Sequence, residues 1–511
     1  MITIDEGAFG TPDVERIEQL ANLLWNSAEN EDYRLTDGSQ SGFPDSLESE
    51  EFEQRVAQII PPESFSEGPV GDGEIRANVK SAEDPQRGES PYAVQSGSDA
   101  IRSNNENIYV GSKTLSQIRS DFPILSEIVN GYPLVWLDNG ATTQRPRAVI
   151  DRLSYYYEHE NSNVHRGAHE LAARSTDAYE AARQTVADFI GAPSKDDIIF
   201  VRGTTEGINL VSQAYVKPLL KPGDEIIVSI LEHHANIVPW QIIAQETGAA
   251  LKVIPCDESG QLIISEYEKL FTKQTKFVAV THVSNVLGTV TPVEELIAIA
   301  HRHGVRILID GAQSVAHIPV NVTALDADFF VFSGHKIFAP TGIGAVYGKK
   351  ELLSSARPYH GGGNMIKDVT FERTVYNPAP NKFEAGTGSI ADAVGLGAAL
   401  EYLNQIGMPA IHQWEHELLT YGLSELRKIP GLHLVGNAAN KSSALAFKLD
   451  GHSDEEVGEY LNRYGIAVRT GHHCAQPVLR RFGLESAVRP TIALYNSPGD
   501  IDTLAGALRR L

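Results

Sequence analysis

The sequence predicts an α/β protein: a large domain on a mainly parallel, seven-stranded sheet, a smaller α+β domain at the C-terminal end, and a largely disordered N-terminal arm. Three observations predict it. Seven short runs that are apolar throughout recur between residues 197 and 348, as strands covered on both faces do. Helical stretches separate most of them, the alternation of a wound α/β sheet. Residues 25–110, by contrast, are rich in Ser, Gly, Pro, Asn, Asp and Glu, as in "TDGSQSGFPDSLESEEFEQ", too poor in apolar surface to offset the entropy lost on folding.

The 511-residue length exceeds one compact unit. The formal net charge of −23 is uneven: residues 1–110 hold 23 acidic and 7 basic side chains, giving −16. That balance argues against nucleic acid as the main partner. No apolar run reaches membrane-spanning length, and "MITIDEGAFG" lacks the basic start and apolar core of a secretion signal, so no membrane role and a cytoplasmic location are expected. Two cysteines, Cys256 and Cys474, cannot build a disulfide scaffold or a four-cysteine zinc site.

In chain order, residues 1–112 form the acidic arm. Within it, "TPDVERIEQLANLLW" sets Val14, Ile17, Leu20 and Leu24 along one helical face behind a Thr11–Pro12 start, the pattern of a docking segment or of a transient helix without a partner. Residues 113–136 form a segment packing on the small domain, and 137–395 the large domain. Its strands are "DIIFV", "EIIVSI", "LKVIP", "KFVAVTHV", "RILID", "FFVFS" and "GAVYG", and its helices include "AVIDRLSYYYEH", "STDAYEAARQTVADFI" and "VEELIAIAHRHG". Residues 396–511 form the small domain, joined by the helix "DAVGLGAALEYLNQIG" and holding "ALAFKL" and "HSDEEVGEYLNRYG".

Ligands of open parallel sheets collect at the carboxyl ends of the strands. "RILIDGAQS" ends a strand at Asp310, with Gln313 three residues on, and "FFVFSGHKIFAPTGIG" ends another with Ser333, His335 and Lys336. "FVRGTTEGIN" places Gly203, Thr204 and Thr205 at a helix start, where backbone N–H groups, hydroxyls and the helix dipole suit a phosphate. A lysine able to condense with an aldehyde, an aspartate able to keep a pyridine nitrogen protonated and a phosphate cradle together meet the needs of pyridoxal 5′-phosphate. Each alone is an ordinary feature: a solvated lysine, a helix cap.

The segments "NVHRGAHELAARST", "VRGTTEGINLV", "EHHANIVPW", "THVSNVLGTV", "DGAQSVAH", "FSGHKIFAPTGIG", "FEAGTGS" and "VRTGHHCAQP" resemble the class II, SUF-type cysteine desulfurases of the class V aminotransferase group. The resemblance runs from about residue 113 to the C-terminus and implies fold type I of the pyridoxal-phosphate enzymes. It also implies a homodimer that takes sulfur from L-cysteine, releases L-alanine, and hands a Cys474 persulfide to an acceptor protein or small thiol, for iron–sulfur cluster assembly or sulfur storage. Residue by residue, it implies that Lys336 is the Schiff-base lysine and proton carrier. Asp310 pairs with the ring nitrogen, Gln313 with the phenolic oxygen, and His233 stacks on the ring. Thr205, Ser333 and His335 hold the phosphate, with Thr204 in the same turn and Thr387 reaching that of the neighbouring subunit. Arg489 forks onto the substrate carboxylate, while Arg469, Asn285 and His165 line the substrate pocket. The chain departs from the family's pattern where Pro490 follows Arg489, and where Gly388–Ser389 follow the Gly–Thr of "FEAGTGS".

For Cys474 in "RTGHHCAQP" the residues alone leave three readings open. It is an inert buried thiol, a metal ligand requiring the awkward convergence of three consecutive side chains, or an accessible nucleophile. The resemblance implies the last, with no metal at the site; Cys256, ending a strand, reads as structural. Selenocysteine lyase, cysteine sulfinate desulfinase and a non-catalytic scaffold on the same fold are the alternatives. The arm is similar to the extensions that load some cysteine desulfurases into encapsulin shells, against the plainer reading of a solubilising tail.

Overall fold

The computed structural model describes residues 108–165 and 167–511. Most of the N-terminal arm, with its expected helix at residues 11–25, lies outside the described residues. The seven apolar runs form one sheet: β1 (Ile198–Val201), β2 (Glu225–Ser229), β3 (Ala250–Ile254), β4 (Thr275–Thr281), β5 (Arg306–Asp310), β6 (Phe329–Ser333) and β7 (Gly344–Gly348). Their order across the sheet is β1-β7-β6-β5-β4-β2-β3. The ladders from β6 through β5, β4 and β2 to β3 are parallel, and β7 runs antiparallel to both its neighbours. The mainly parallel seven-stranded sheet expected from the sequence is therefore the sheet observed.

Side chains alternate between the two faces of a strand, and here both faces are apolar. Ile307, Ile309, Phe330 and Phe332 enter one core with Val186, Leu296 and Leu400. Leu308, Phe329 and Val331 enter the other with Ile208, Trp240 and Ile243. Two-sided burial is why these strands, apart from the partly exposed edge strand β3, show no polar alternation in sequence. On the first face lie α1 (Arg147–His159), α2 (Glu170–Ile190) and α3 (Ile390–Ile406), with α3 packed on the other two. The helix α3 is buried nearly all round, from Ile390 to Ile406, as a core helix between two layers must be.

Beyond α3, a four-stranded antiparallel sheet is built from β8 (Leu432–Leu434), β9 (Phe447–Leu449), β10 (Arg469–Gly471) and β11 (Ala487–Arg489), in the order β8-β9-β11-β10. The expected helix in "HSDEEVGEYLNRYG" spans Asp454–Arg463, opened by a capping box between Ser453 and Glu456. The segment before the large sheet is tied to this region, since Val135–Trp136 pairs in parallel with Ile466–Ala467. One boundary moves. Residues 108–112, assigned from composition to the arm, belong to the folded part: Tyr109–Val110 pairs with Lys113–Thr114, and Val110 is buried. A single valine at the end of a polar stretch is too weak a compositional signal to show this.

Where β7 runs between β1 and β6 the backbones come close. A Cβ on Gly344 would meet the Phe332 carbonyl oxygen and lie 2.7 Å from Gly203 Cα. Gly203 itself has φ +154°, which a side chain rarely adopts. Gly344→Ala is therefore expected to destabilise the fold by about 1–3 kcal/mol through forced backbone shifts. An unchanged denaturant midpoint for that variant would show that this part of the sheet is not close-packed.

Candidate active site

The carboxyl ends of β1, β5 and β6 deliver Thr204, Asp310 and Ser333 to one region, as parallel strands of similar length must. A cavity of about 300 Å³ lies there. Twelve of the fourteen candidate residues line it: Thr204, Thr205, His233, Asn285, Asp310, Gln313, Ser333, His335, Lys336, Arg469, Cys474 and Arg489. They come from positions scattered over 286 residues of chain, from 204 to 489, and from both sheets. His165 and Thr387 are placed elsewhere. His165 Nε2 sits 3.1 Å from Glu180 Oε1, and Thr387 lines a separate cavity of about 460 Å³ with Asn163, Tyr156 and Tyr157.

The cradle begins at the N-terminus of the helix Thr204–Val211, which has Gly203 as its cap. The Thr204 N–H donates to Ser333 Oγ at 2.8 Å, and the two hydroxyls are 2.8 Å apart. Free N–H groups and hydroxyls converge here without a carboxylate among the cavity residues of this turn, the chemistry of an anion site. Asp310 accepts from the Ala312 N–H at 2.9 Å, and its burial pushes the carboxyl above its ordinary range. Gln313 is held by Nε2 donating 2.7 Å to the Gly140 carbonyl. His233 Nδ1 accepts from the Ala235 N–H at 3.0 Å, and burial first, then Lys336, lowers its pKa to about 3, so the ring is neutral. Burial likewise lowers His335 to about 4.

Lys336 is brought down to about 8 by burial, only partly offset by Asp310. About a tenth of the amine is then free base at pH 7, far more than for a lysine in water, and free base is the form that attacks a carbonyl.

Arg489 and Arg469 are register partners across β10 and β11. Like charges directly opposite destabilise a sheet, and Asp138 resolves the conflict. Its carboxylate accepts from Arg469 Nε at 3.1 Å and Nη2 at 2.8 Å. Its Oδ1 is 3.6 Å from Arg489 Nη2, too far for a hydrogen bond. Arg489 is 2% exposed, donates Nη1 to the Asn285 carbonyl, and leaves Nε and Nη2 without hydrogen-bond partners, as is Asn285 Oδ1. Burial lowers its pKa to about 10, which keeps it charged at neutral pH. Buried donors left open in this way fit an incoming anion.

Cys474 sits on an exposed loop, with φ +54° and His473 before it at φ +52°. The loop is tied down on three sides. The His234 N–H donates to the Cys474 carbonyl at 2.7 Å, Asn285 Nδ2 to the His473 carbonyl at 2.7 Å, and His473 Nε2 lies 2.9 Å from the Ala487 carbonyl. Cys256 is buried, away from the cavity, and burial raises its pKa.

Sequence reasoning missed Asp138, Glu232 and His473. Asp138 follows the short strand Val135–Trp136, so the strand-end rule that found Asp310 applies to it as well. Glu232 is fully buried and accepts from the Thr281 N–H at 2.9 Å and Asn236 Nδ2 at 2.6 Å, anchoring the turn that carries His233 and His234. Its burial raises its pKa to about 8, and no local pattern announces it.

A wound α/β sheet with a lysine, an aspartate and a cluster of hydroxyls at its carboxyl edge has the fold of the fold-type-I pyridoxal-phosphate class. More particularly, the chain belongs to the aminotransferase class-V family, whose model matches residues 135–504. It is 62% identical over 397 residues to a cysteine desulfurase of Synechococcus elongatus, a match covering 78% of this chain and 63% of that protein. With a cysteine desulfurase of Dickeya dadantii it shares 48% identity over 398 residues, covering 78% of this chain and 96% of that one. The chain thus spans less than two thirds of some curated relatives and nearly all of others. Among solved structures, a cysteine desulfurase from Escherichia coli superposes with a TM-score of 0.73 at 40% identity, covering 78% of this chain and 98% of that one. One from Thermococcus onnurineus gives 0.74 at 37%, covering 77% and 97%.

The lowered Lys336 pKa makes a signed prediction for the cofactor-free protein. Between pH about 8 and 10.5 the unfolded chain holds a proton that the folded chain lacks, so the stability cost of burying Lys336 is full below that window and relieved as pH rises through it. The span is on the order of 3 kcal/mol. Lys336→Met is expected to be the more urea-resistant protein at pH 7, with its advantage shrinking by pH 10. A constant difference across that range would contradict a buried, low-pKa amine.

Proposed function

We propose that this protein is a pyridoxal-5′-phosphate-dependent cysteine desulfurase, of the class II (SUF-type) branch. The carrying observation is that Lys336 and Cys474 line one cavity, together with an arginine whose buried donors lack hydrogen-bond partners. The residues present fit the coenzyme. Thr204, Thr205, Ser333 and His335 would hold its phosphate, Asp310 its ring nitrogen, Gln313 its phenolic oxygen and His233 its ring face. When bound, the coenzyme supplies an aldehyde for an amine and a ring that draws electron density from the substrate's Cα.

The chain's own groups do the rest. Arg489, with Arg469 and Asn285 beside it, anchors the carboxylate of L-cysteine. The Lys336 amine takes the proton from Cα and returns protons to the carbon skeleton. The Cys474 sulfur, as thiolate, attacks the substrate Sγ. A sulfur–sulfur bond forms, the Cβ–Sγ bond breaks with its electron pair left on carbon, and that carbon takes a proton. L-cysteine and the enzyme thiol thus become L-alanine and an enzyme persulfide. The exposure of Cys474 suits hand-over to an acceptor protein or small thiol, for iron–sulfur cluster assembly or sulfur storage. Thr387 and His165, which lie outside their own chain's cavity, would complete the site of a second copy in a homodimer.

An assay of alanine and sulfide from L-cysteine, with reductant, tests the reading. Cys474→Ala and Lys336→Ala are each expected to lose at least about a hundredfold of sulfide formation. Selenocysteine turnover retained in Cys474→Ala would mark a lyase that does not depend on the thiol. Sulfide release at the wild-type rate by Cys474→Ala would end the persulfide mechanism.

For the chain's location we propose the cytoplasm, inside an encapsulin shell loaded through residues 1–112. Acidity, low apolar content and the single amphipathic patch at residues 11–25 support this. Among the described residues no helix is long and apolar enough to cross a membrane. Co-expression with an encapsulin shell protein is expected to co-purify the full chain and not a form lacking residues 1–110. Equal recovery of both forms would leave the arm a solubilising tail.

A further inference from the structure

We propose that His234, His472 and Cys474 form a binding site for a thiophilic divalent cation such as Zn²⁺, which caps the Cys474 thiol. One ligand atom from each of the three lies within 4.8 Å of the others. Consecutive residues do not supply this set. His473 turns inward to the Ala487 carbonyl, and His234 arrives instead from the turn after β2, 238 residues before His472. The two imidazoles are stacked at 5.7 Å between centroids, with 29° between their planes.

Both rings present a lone pair to the cysteine loop. His472 Nδ1 accepts from the Cys474 N–H at 3.0 Å, and His234 Nε2 accepts from the Gln476 N–H at 3.3 Å. An imidazole nitrogen that accepts is unprotonated, the form that ligates. A cation displaces these two contacts, the second of them already long.

Two imidazoles and one thiolate are borderline-soft donors, which select zinc-like ions over Mg²⁺ or Ca²⁺. Tetrahedral ligands about 2.0–2.3 Å from the metal stand closer together than 4.8 Å. His472 and Cys474 are both exposed and rotate inward without disturbing a packed core. The thiol gives its proton to solvent as the sulfur–metal bond forms, and the fourth position stays open to water. Three protein ligands with one open position hold the ion exchangeably rather than as a structural centre. The bound ion occupies the lone pair with which Cys474 would attack, so on the desulfurase reading the site is a reversible inhibitor of sulfur transfer.

The experiment uses the full chain with coenzyme bound and reads the thiol itself. Co²⁺ is expected to bind with a sulfur-to-cobalt charge-transfer absorption that Cys474→Ser lacks. Zn²⁺ is expected to slow alkylation of Cys474 at least about tenfold, followed by peptide mass so that buried Cys256 is counted separately. His472→Ala, at an exposed position, is expected to weaken this protection at least about tenfold, as is His234→Ala. The proposal is overturned if Zn²⁺ leaves the alkylation rate unchanged, or if both histidine variants are protected as well as the wild type. Because alkylation needs no substrate, its outcome stands whether or not the protein desulfurates cysteine.

Discussion

The register that sets Arg469 opposite Arg489 is the constraint on which the site depends. Two guanidinium groups on adjacent strands repel, and the pairing holds because Asp138 supplies the counter-charge from a third segment. That one carboxylate couples the chain before the large sheet to the antiparallel sheet at the C-terminal end. It also leaves Arg489 in an unusual state, buried and charged with two donors lacking hydrogen bonds. A stable fold tolerates such a group where a ligand of opposite charge completes it. The same register fixes where β10 ends, and hence where the loop of Cys474 begins.

Across the cavity, the parallel sheet supplies complementary chemistry. Its carboxyl edge presents Asp310, held high by burial, and Lys336, held low by the same cause. Low polarity disfavours both charges and leaves each group readier to exchange a proton than it would be in water. His233 and His335 are kept neutral by burial, so the charged groups facing an incoming substrate are chiefly the arginines and the lysine. The buried arginine lies on one side of the cavity and the low-pKa amine on the other.

The cysteine loop has a different character. Its backbone is pinned by His234 and Asn285, the His473 ring meets the Ala487 carbonyl, and two consecutive residues sit at positive φ. Cys474 itself is exposed. A held backbone with a solvent-facing sulfur combines a fixed position with access from outside. It also leaves the thiol within reach of two imidazoles, of His234 and His472, that do not line the cavity.

Much of this was legible in the sequence, because two-sided burial writes itself locally. Each of the seven apolar runs became a strand of the sheet, and the strand-end rule picked out Asp310, Ser333 and Lys336. Gly203, read at a helix start, has the positive φ that a single segment's backbone chemistry carries. Contacts between distant segments leave no such mark. Nothing local shows that Asp138 would meet Arg469, that Glu232 would anchor the His233 turn, or that His234 rather than His473 would face Cys474. Nor does composition show that Val110 is buried. The sequence by itself determined the layers, the sheet and the kinds of chemistry present, since these follow from short-range periodicity and residue type. Only the tertiary structure decided which charges neutralise one another and which histidine meets the thiol, because register and loop convergence are set by packing between segments hundreds of residues apart.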